Sequence, residues 1–478
     1  MTLAERDAQT FLYESLADNL RGLIDDGTFA CGHRLPSVRR LSRQERLSPA
    51  TVLKAYETLE AAGLVEARPK SGYYVRRRSD DLPEPPSRSR PPAAATAVDV
   101  GELVVELVAT ASRPDLVPFG GALPGPELLP ITRFKRITAS VLRRADAYSE
   151  LDIPPQGAAP LRTAVARRML RTGCRVAPDD VVITAGCLEA LNLALRAVAR
   201  PGDAIGVESP TYFGTLQAIE NLDMRAVELP TDPDRGVCPD ALCEAARSGR
   251  IRAALLMPDV HNPLGGIMPE AHKRRIAATL GRLGVPVIED DVYGETHFGE
   301  GARPRALKAF DEHDNVIYCS SFSKQISPTM RLGWMLPGRW ARRVHVLKAS
   351  STIAANGLAQ AATAAFLEQG GFDRHLRRQR RAFAANIDRA LDGICRHFPA
   401  TTRVTRPRGG YLLWVQVPGV DARALYHRAL AEGISIAPGR LFTAHDGFRD
   451  FFRLNCGHPW SPRLEAGLAR LGELAAGD

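Results

Sequence analysis

The chain is 478 residues long, 45% of them hydrophobic, and carries a formal net charge of +9. That length exceeds one ordinary domain, so we expect two or three folding units with buried cores. Eight cysteines lie scattered without CxxC pairs or a His/Cys ligand cluster, and no apolar run reaches the length of a membrane span. These features argue against a disulfide scaffold, a metal site and a membrane protein, and they predict free thiols and a cytoplasmic location.

The first 75 residues show three helical patterns and then two short strands. Apolar residues recur at helical spacing in the first pattern, and Ser37 and Ser48 stand where the N-caps of the next two helices belong. Pro49 follows Ser48 in the first helical turn, where a missing N–H loses no partner. Two alternating segments then flank a turn at 69–72. The pattern predicts a winged helix-turn-helix.

Charge separates within this head of the chain. Residues 1–30 carry two arginines against six acidic residues, whereas residues 31–78 carry eleven basic residues against four glutamates. A basic half beside a groove-sized helix suits the phosphate backbone of DNA. A small helical module with a solvated basic face has the same charge pattern, so charge alone leaves both interpretations open.

The sequence of the head closely resembles the GntR-type winged helix-turn-helix. The matching residues are Leu35-Pro36-Ser37-Val38-Arg39, Ser48, Thr51-Val52, Ala55-Tyr56, Leu59, Gly63-Leu64-Val65 and Lys70-Ser71-Gly72-Tyr73-Tyr74-Val75. The resemblance implies double-stranded operator DNA as a partner, with Arg39 on a phosphate. It also implies that the third helix enters the major groove from Ser48, and that the wing with Lys70 and Gly72 reaches the minor groove.

One turn of the third helix departs from the family pattern. The family often has an arginine after the serine that begins this helix, and Pro49 and Ala50 occupy that turn here. Neither side chain can make a bidentate contact with guanine. Base readout is therefore expected to rest on Thr51, Lys54 and the wing.

The stretch after the head is rich in proline, arginine and alanine and has little to bury. This composition predicts a semi-extended tether rather than a packed element. We therefore expect a DNA-binding domain at 1–78, a linker at 79–98 and a larger domain at 99–478.

Beyond residue 100, helical and strand patterns alternate, as in an α/β domain whose mainly parallel sheet is covered on both faces. The predicted strands are 181–183, 204–207, 253–256, 285–288 and 316–318. Polar residues follow each of them. Because ligands of α/β sheets bind at the carboxyl ends of strands, we expect these polar residues to form one site.

A lysine among hydroxyl groups follows the last of these strands. Lys324 stands in Ser-Ser-Phe-Ser-Lys, seven residues before Arg331. A lysine amine forms an imine with an aldehyde when a dry, cation-rich pocket keeps part of it unprotonated. Hydroxyl groups and a guanidinium suit a phosphate. An isolated lysine is usually a solvated surface residue, but this one follows an apolar strand.

The other strand ends add groups that suit an aromatic phosphate ester. Gly186 precedes a helix whose free N–H groups suit a phosphate, although most such glycines only turn the chain. Tyr212 suits stacking on a ring, although a tyrosine in such a place more often belongs to a core, and Asn262 suits donation to a phenolate oxygen. A buried carboxylate from the pair Asp290-Asp291 would keep a pyridine nitrogen protonated.

These stretches resemble, over roughly residues 115–470, the fold-type I pyridoxal 5′-phosphate (PLP) enzymes, the aspartate aminotransferase-like family. The resemblance implies that Lys324 forms the internal aldimine and that Asp290 pairs with the pyridine nitrogen. Arg453, in Phe-Arg-Leu-Asn, is implied to clamp an effector carboxylate. The other implied contacts are Asn262 and Tyr293 at the ring hydroxyl, Tyr212 at the ring face, and Gly186, Cys187, Ser321 and Arg331 at the phosphate.

A GntR-type head joined to such a body resembles the MocR-like regulators over nearly the whole chain. The resemblance implies a homodimeric transcription regulator that binds PLP and responds to a small amino compound or a PLP vitamer. Two alternatives stay open. One is a working aminotransferase with an accessory head, and the other is a body that binds no cofactor and serves only as a dimer scaffold.

Overall fold

The structure is a computed structural model that describes residues 12–29, 33–68, 71–75, 82–111, 113–144, 154–299 and 301–477. The contacts divide the chain into two compact units, Met1–Pro83 and Glu84–Asp478, called here the head and the body. Within the described ranges, no helix combines the length and the apolar character needed to cross a membrane.

The head consists of three helices and a two-stranded antiparallel sheet. Its elements are α1 (Leu12–Asp25), α2 (Val38–Gln44), α3 (Pro49–Ala61), β1 (Val65–Arg68) and β2 (Gly72–Val75). Ser37 Oγ accepts a hydrogen bond from the Arg40 N–H at 3.3 Å, and Ser48 Oγ accepts one from the Thr51 N–H at 3.1 Å. Both predicted N-caps are formed, and the predicted winged helix-turn-helix order is confirmed.

The third helix is the centre of the head's core. Val52, Tyr56 and Leu59 on one face of α3 are fully buried. The Tyr56 hydroxyl donates to the Pro36 carbonyl at 2.6 Å, and its ring centroid lies 4.8 Å from that of Tyr73 on β2. These contacts join α3 to the start of α2 and to the wing. The opposite, polar face of α3 is therefore held outward.

The body contains the remaining twelve helices and fifteen strands of the described residues. The helices are α4 (Gly101–Ala111), α5 (Ile131–Arg144), α6 (Ala159–Met169), α7 (Cys187–Val198), α8 (Phe213–Glu220), α9 (Pro239–Arg247), α10 (Glu270–Leu283), α11 (Ala341–Ala349), α12 (Gly357–Glu368), α13 (Phe372–His397), α14 (Ala422–Ala431) and α15 (Pro462–Ala476). The strands are β3 (Thr96–Ala97), β4 (Val117–Pro118), β5 (Val182–Thr184), β6 (Ala204–Ser209), β7 (Arg225–Asp232), β8 (Gly236–Val237), β9 (Ala253–Leu256), β10 (Val287–Asp290), β11 (Val316–Ser321), β12 (Gly333–Leu336), β13 (Arg403–Val404), β14 (Leu412–Gln416), β15 (Ile434–Ser435), β16 (Ala437–Pro438) and β17 (Phe451–Asn455).

The large sheet of the body runs in the order β3-β7-β6-β9-β10-β11-β12-β5, with β8 beside β7. The strands β7, β6, β9, β10, β11 and β5 are parallel, and β12 is antiparallel between β11 and β5. All five predicted strands occur, so the α/β fold class is confirmed, whereas β7 and β12 were not predicted. Helices cover this sheet, and its central strands are buried, as is usual for parallel sheets.

A smaller antiparallel sheet, β13-β14-β17-β16, lies near the carboxyl end of the body. In its register Trp414 on β14 pairs with Arg453 on β17. Both side chains are fully buried. The small sheet therefore carries a guanidinium into the interior of the body.

The chain from Glu84 onward is packed against the body. The Ser89 N–H donates to the Thr231 carbonyl at 3.1 Å, and Ser89 Oγ accepts from the Thr231 N–H at 2.9 Å. The two residues of β3 then pair with β7. The prediction of an unpacked tether is wrong for this stretch, because backbone hydrogen bonds to a sheet edge need few apolar side chains.

Candidate cofactor site and nucleic-acid interface

The polar residues that follow the parallel strands meet at one edge of the large sheet. They line a cavity with about 480 Å³ of space, part of it open to solvent. Its lining includes seven of the predicted cofactor residues, which are Cys187, Tyr212, Asp290, Tyr293, Ser321, Lys324 and Arg331. They come from the carboxyl ends of only four strands, β5, β6, β10 and β11, which meet here because the carboxyl ends of parallel strands lie side by side.

The amine of Lys324 lies inside this cavity. Its Nζ donates to the Ala122 carbonyl at 2.7 Å and lies 5.5 Å from the centroid of the Tyr293 ring. Burial lowers the pKa of Lys324 to about 7, and the positive charges of Arg453 and Arg331 contribute. A substantial fraction of the amine is therefore unprotonated near neutral pH. The neutral amine is the form that attacks a carbonyl.

Asp290, the last residue of β10, directs its carboxylate into the same cavity. One oxygen accepts from the Val292 N–H at 3.3 Å and from the Cys187 thiol at 3.5 Å. Burial raises the pKa of Asp290 to about 7. The adjacent Asp291 faces the other way, where it pairs with Arg303 and accepts from the Tyr318 hydroxyl at 2.6 Å. Asp290 is thus the one of the two aspartates that is placed to meet a ring nitrogen.

The first turn of α7 lies beside Arg331 and has free N–H groups that suit a phosphate. Gly186 is its N-cap, with a φ of 89° and no side-chain cap. A Cβ on Gly186 would lie 2.6 Å from the guanidinium of Arg331, and one on Gly333 would lie 2.7 Å from the Gly186 carbonyl carbon. Two glycines therefore allow α7, β12 and Arg331 to approach closely. Free N–H groups at a helix start beside a guanidinium form an anion site.

Gly333→Ala is expected to destabilise the body by about 1–3 kcal/mol, because its methyl group would meet the backbone of Gly186 and Ser320. The backbone would have to move to make room for this methyl group, and the movement would displace the start of α7. We therefore also expect weaker PLP binding. Thermal unfolding and a PLP fluorescence titration measure the two effects. Gly301→Ala is the matched control, since no atom lies within 4 Å of its added Cβ. If both variants unfold at the same temperature and bind PLP equally well, Gly333 does not lie as close to the backbone of Gly186 and Ser320 as described.

Arg453 reaches the site from the small sheet. Its Nη1 donates to Asn262 Oδ1 at 3.1 Å and its Nη2 to the Gly120 carbonyl at 2.7 Å. Both side chains are buried, and among the described residues Arg453 Nε and Asn262 Nδ2 have no hydrogen-bond partner. A buried polar atom without a partner is costly, so these two donors are available for a ligand's oxygen atoms.

Sequence reasoning missed several groups at the site. Ser323 lines the cavity, and its place directly before Lys324 was an available signal. Tyr411 is fully buried, and its hydroxyl shares the Ala122 carbonyl with Lys324 at 2.9 Å. No local pattern indicates that Tyr411 or Ala122 belongs to the site, because both come from distant segments.

Burial raises the pKa of Tyr212 to about 12, so this phenol stays protonated at neutral pH.

The predicted DNA-contacting residues lie at the surface of the head. Arg39 and Ser48 are exposed near the starts of α2 and α3, and Lys54 is exposed on α3 with Glu57 at 3.7 Å. Thr51 is partly exposed in the same turn as Ser48, and Gly72 is exposed with a φ of 114°. Lys70 lies outside the described residues.

Both units match family models. Residues 12–75 match the bacterial regulatory proteins of the gntR family, and residues 137–469 match the aminotransferases of class I and II. The chain belongs to the MocR-like family of GntR regulators. It joins a GntR-type DNA-binding head to a body with the fold-type I aminotransferase fold.

Relatives of this regulator include both full-length regulators and enzymes. It is 39% identical to the uncharacterized HTH-type transcriptional regulator YdcR of Escherichia coli, over 97% of this chain and 98% of that protein. It is 32% identical to the 2-aminoadipate transaminase of Thermus thermophilus, over 78% of this chain and 93% of the enzyme. A solved structure of LysN, the alpha-aminoadipate aminotransferase from Thermus thermophilus, in complex with N-(5′-phosphopyridoxyl)-L-leucine, has a TM-score of 0.71 and 30% identity. That comparison covers 80% of this chain and 99% of the enzyme.

The aminotransferase family is PLP-dependent, and PLP is the cofactor of this body. The residues present fit it. Asn262 Nδ2 is a buried donor that no other described residue pairs with, and Lys324, Asp290 and Arg331 line one cavity. When bound, PLP would supply an aldehyde for the lysine and a ring that accepts electrons. The exact contact of each residue stays a prediction.

Proposed function

We propose that this regulator binds PLP covalently through Lys324 and changes its binding to operator DNA when a small amino compound or a PLP vitamer enters the site. The observation that carries the proposal is the placement of Lys324, with its lowered pKa, in one cavity with Asp290 and Arg331. Within that cavity Asp290 would hold the pyridine nitrogen protonated. Gly186, Cys187, Ser321 and Arg331 would hold the phosphate, while Tyr212, Asn262 and Tyr293 would contact the ring and its hydroxyl.

The contacts of Arg453 support a mechanism by which a bound effector changes the conformation of the body. Its guanidinium joins β17 of the small sheet to Asn262, in the loop after β9, and to the Gly120 carbonyl. A carboxylate offers this guanidinium a stronger, charge-assisted partner than either neutral oxygen. An amino acid bound there would replace these bonds and change how the small sheet is held. Such a ligand shifts the balance between two conformations by its difference in affinity for them.

The DNA-binding step is proposed for the head. Arg39 would contact a phosphate, the start of α3 with Ser48, Thr51 and Lys54 would lie in the major groove, and the wing with Lys70 and Gly72 in the minor groove. A homodimer would present two heads to paired half-sites of an operator. A regulator of this kind would act in the cytoplasm, where the bacterial chromosome lies.

An anisotropy titration against DNA from upstream of the protein's own gene tests the proposal. The titration is made with and without PLP, with scrambled DNA as competitor. We expect binding that survives the competitor and changes when PLP is added. Binding no tighter than to scrambled DNA would contradict the regulatory function.

An active aminotransferase is the second candidate, and the same lysine favours it. A Lys324 with a pKa of about 7 can both accept and release a proton near neutral pH, as general acid–base catalysis requires. The test is steady exchange of amino groups between an amino acid and a 2-oxo acid. Turnover at ordinary enzyme rates, about 1 per second or faster, would favour the enzyme.

A further inference from the structure

A second cleft of the body is lined by basic side chains. It lies between α5 and the start of α13 and offers about 1010 Å³ of space, part of it open to solvent. Four arginines and one glutamate line this arginine cleft, and they are Arg133, Arg136, Arg374, Arg378 and Glu127. The lining therefore carries a net charge of about +3 at neutral pH.

Most of this charge is free to meet a ligand. In the described part of the chain, no carboxylate pairs with Arg136, Arg374 or Arg378, and all three are exposed. Arg133 is already used, because it donates to the Gly370 carbonyl and lies over the Phe366 ring at 5.0 Å. Three guanidinium groups thus remain for an anion.

The start of α13 adds to the positive potential of the cleft. This helix runs from Phe372 to His397, and its N-cap Gly371, which lines the cleft, provides no side-chain cap. The acidic residue of its first turn, Asp373, pairs instead with Arg168 at 3.3 Å and Arg171 at 2.8 Å. The free N–H groups and dipole of a helix start favour an anion.

An independent observation indicates that the ligand also carries a hydrogen-bond donor. His375 lines the cleft and is 7% exposed, and its Nε2 lies 2.8 Å from the Gln325 carbonyl. A carbonyl accepts only, so Nε2 carries the proton and Nδ1 is a buried acceptor, which has no partner in the ranges that the structure describes. Burial lowers the pKa of His375 to about 4, which keeps the ring neutral.

We propose that the arginine cleft binds a small phosphomonoester that carries a hydroxyl group. The guanidinium groups and the helix start would hold the phosphate, and His375 Nδ1 would accept from the hydroxyl. Because His375 is only 7% exposed, a rigid DNA duplex would leave its Nδ1 without a donor, which favours a small molecule over a nucleic acid. The cleft adjoins the Lys324 loop, since its lining residue His375 donates from Nε2 to the Gln325 carbonyl at 2.8 Å.

Calorimetric titration with glycerol 3-phosphate tests this site. The protein is first treated with PLP and borohydride, so that the cavity at Lys324 is filled before the titration. We expect saturable binding that is at least about tenfold weaker in the double variant Arg374→Gln/Arg378→Gln. Arg377→Gln is the matched control, because Arg377 is exposed on the same helix outside the lining, and its binding should stay within about twofold.

Titrations with other ligands show which chemical groups the cleft recognises. Sulfate and glycerol should each bind much more weakly than glycerol 3-phosphate. Equal binding of sulfate, or equal binding by the double variant, would mean an adventitious ion only and would overturn the proposal. Tighter binding of an oligoglutamate peptide would overturn it in favour of an acidic peptide. Absence of borohydride labelling would count against the function proposed above, while the arginine variants would still test the cleft.

Discussion

Lys324→Ala is expected to abolish covalent labelling by PLP and borohydride while the body stays folded. Reduction fixes the cofactor on the amine that forms the imine, and Lys324 is the lysine that lines the cavity. Its loss should leave the fold intact, because the Ala122 carbonyl keeps the Tyr411 hydroxyl as a donor at 2.9 Å. Mass spectrometry of the treated protein locates the label, and circular dichroism reports the fold.

Lys135→Ala is the matched control, since Lys135 is exposed on α5 and lies outside the cavity lining. Its labelling should equal that of the unchanged protein. Unfolding of the Lys324 variant would show that this lysine is structural. A label on another lysine in the unchanged protein would move the site of the imine.

The pH dependence of this labelling follows from the same environment. Burial and the charges of Arg453 and Arg331 lower the pKa of Lys324 to about 7. Its protonated form dominates below that pKa, so the rate of imine formation should rise with pH through about 7 and then level off. An ordinary lysine has a pKa of about 10.4, and its rate would still rise well above pH 9. Stopped-flow absorbance after mixing with PLP distinguishes the two curves.

Arg39→Ala is expected to weaken operator binding by about tenfold, because a charge-assisted hydrogen bond to phosphate would be lost. The slope of log affinity against log salt should fall by about one, since one fewer counterion is released. Arg39 suits this role because it is exposed in the first turn of α2. Anisotropy titrations at several salt concentrations provide the measurement.

Arg21→Ala is the matched control, because it removes the same charge from a different helix of the head. Arg21 is on α1 and pairs with Asp18 at 2.9 Å. We expect its effect on DNA binding to be small and its salt slope to stay unchanged. If Arg39→Ala leaves the slope unchanged as well, Arg39 is not a phosphate contact.

Helix starts and strand positions that depend on residues close in the sequence could be predicted. Ser37 and Ser48 cap their helices as expected, because an N-cap is made with an N–H three residues away. The strands before Asp290 and Lys324 were found from short apolar runs. In contrast, β7 and β12 were missed, and both are fitted into the sheet by neighbours rather than marked by a pattern of their own.

The packing of the predicted linker is a second feature that the sequence pattern did not predict. Ser89 and the residues of β3 are held by hydrogen bonds to the backbone of β7, which composition does not reveal. A stretch with few apolar side chains can therefore be a fixed part of a domain when a sheet edge is open to it.

Local sequence was enough to place a lysine, an aspartate and a glycine-led helix at strand ends, because a strand's end and the residues after it are neighbours in the chain. It did not show which of the two aspartates, Asp290 or Asp291, directs its carboxylate into the cavity. It also did not predict the contacts of Arg453 with Asn262 and Gly120, which lie 191 and 333 residues away in the chain. Those contacts required the folded body, because they arise where separate segments pack together and leave no signal in either segment alone.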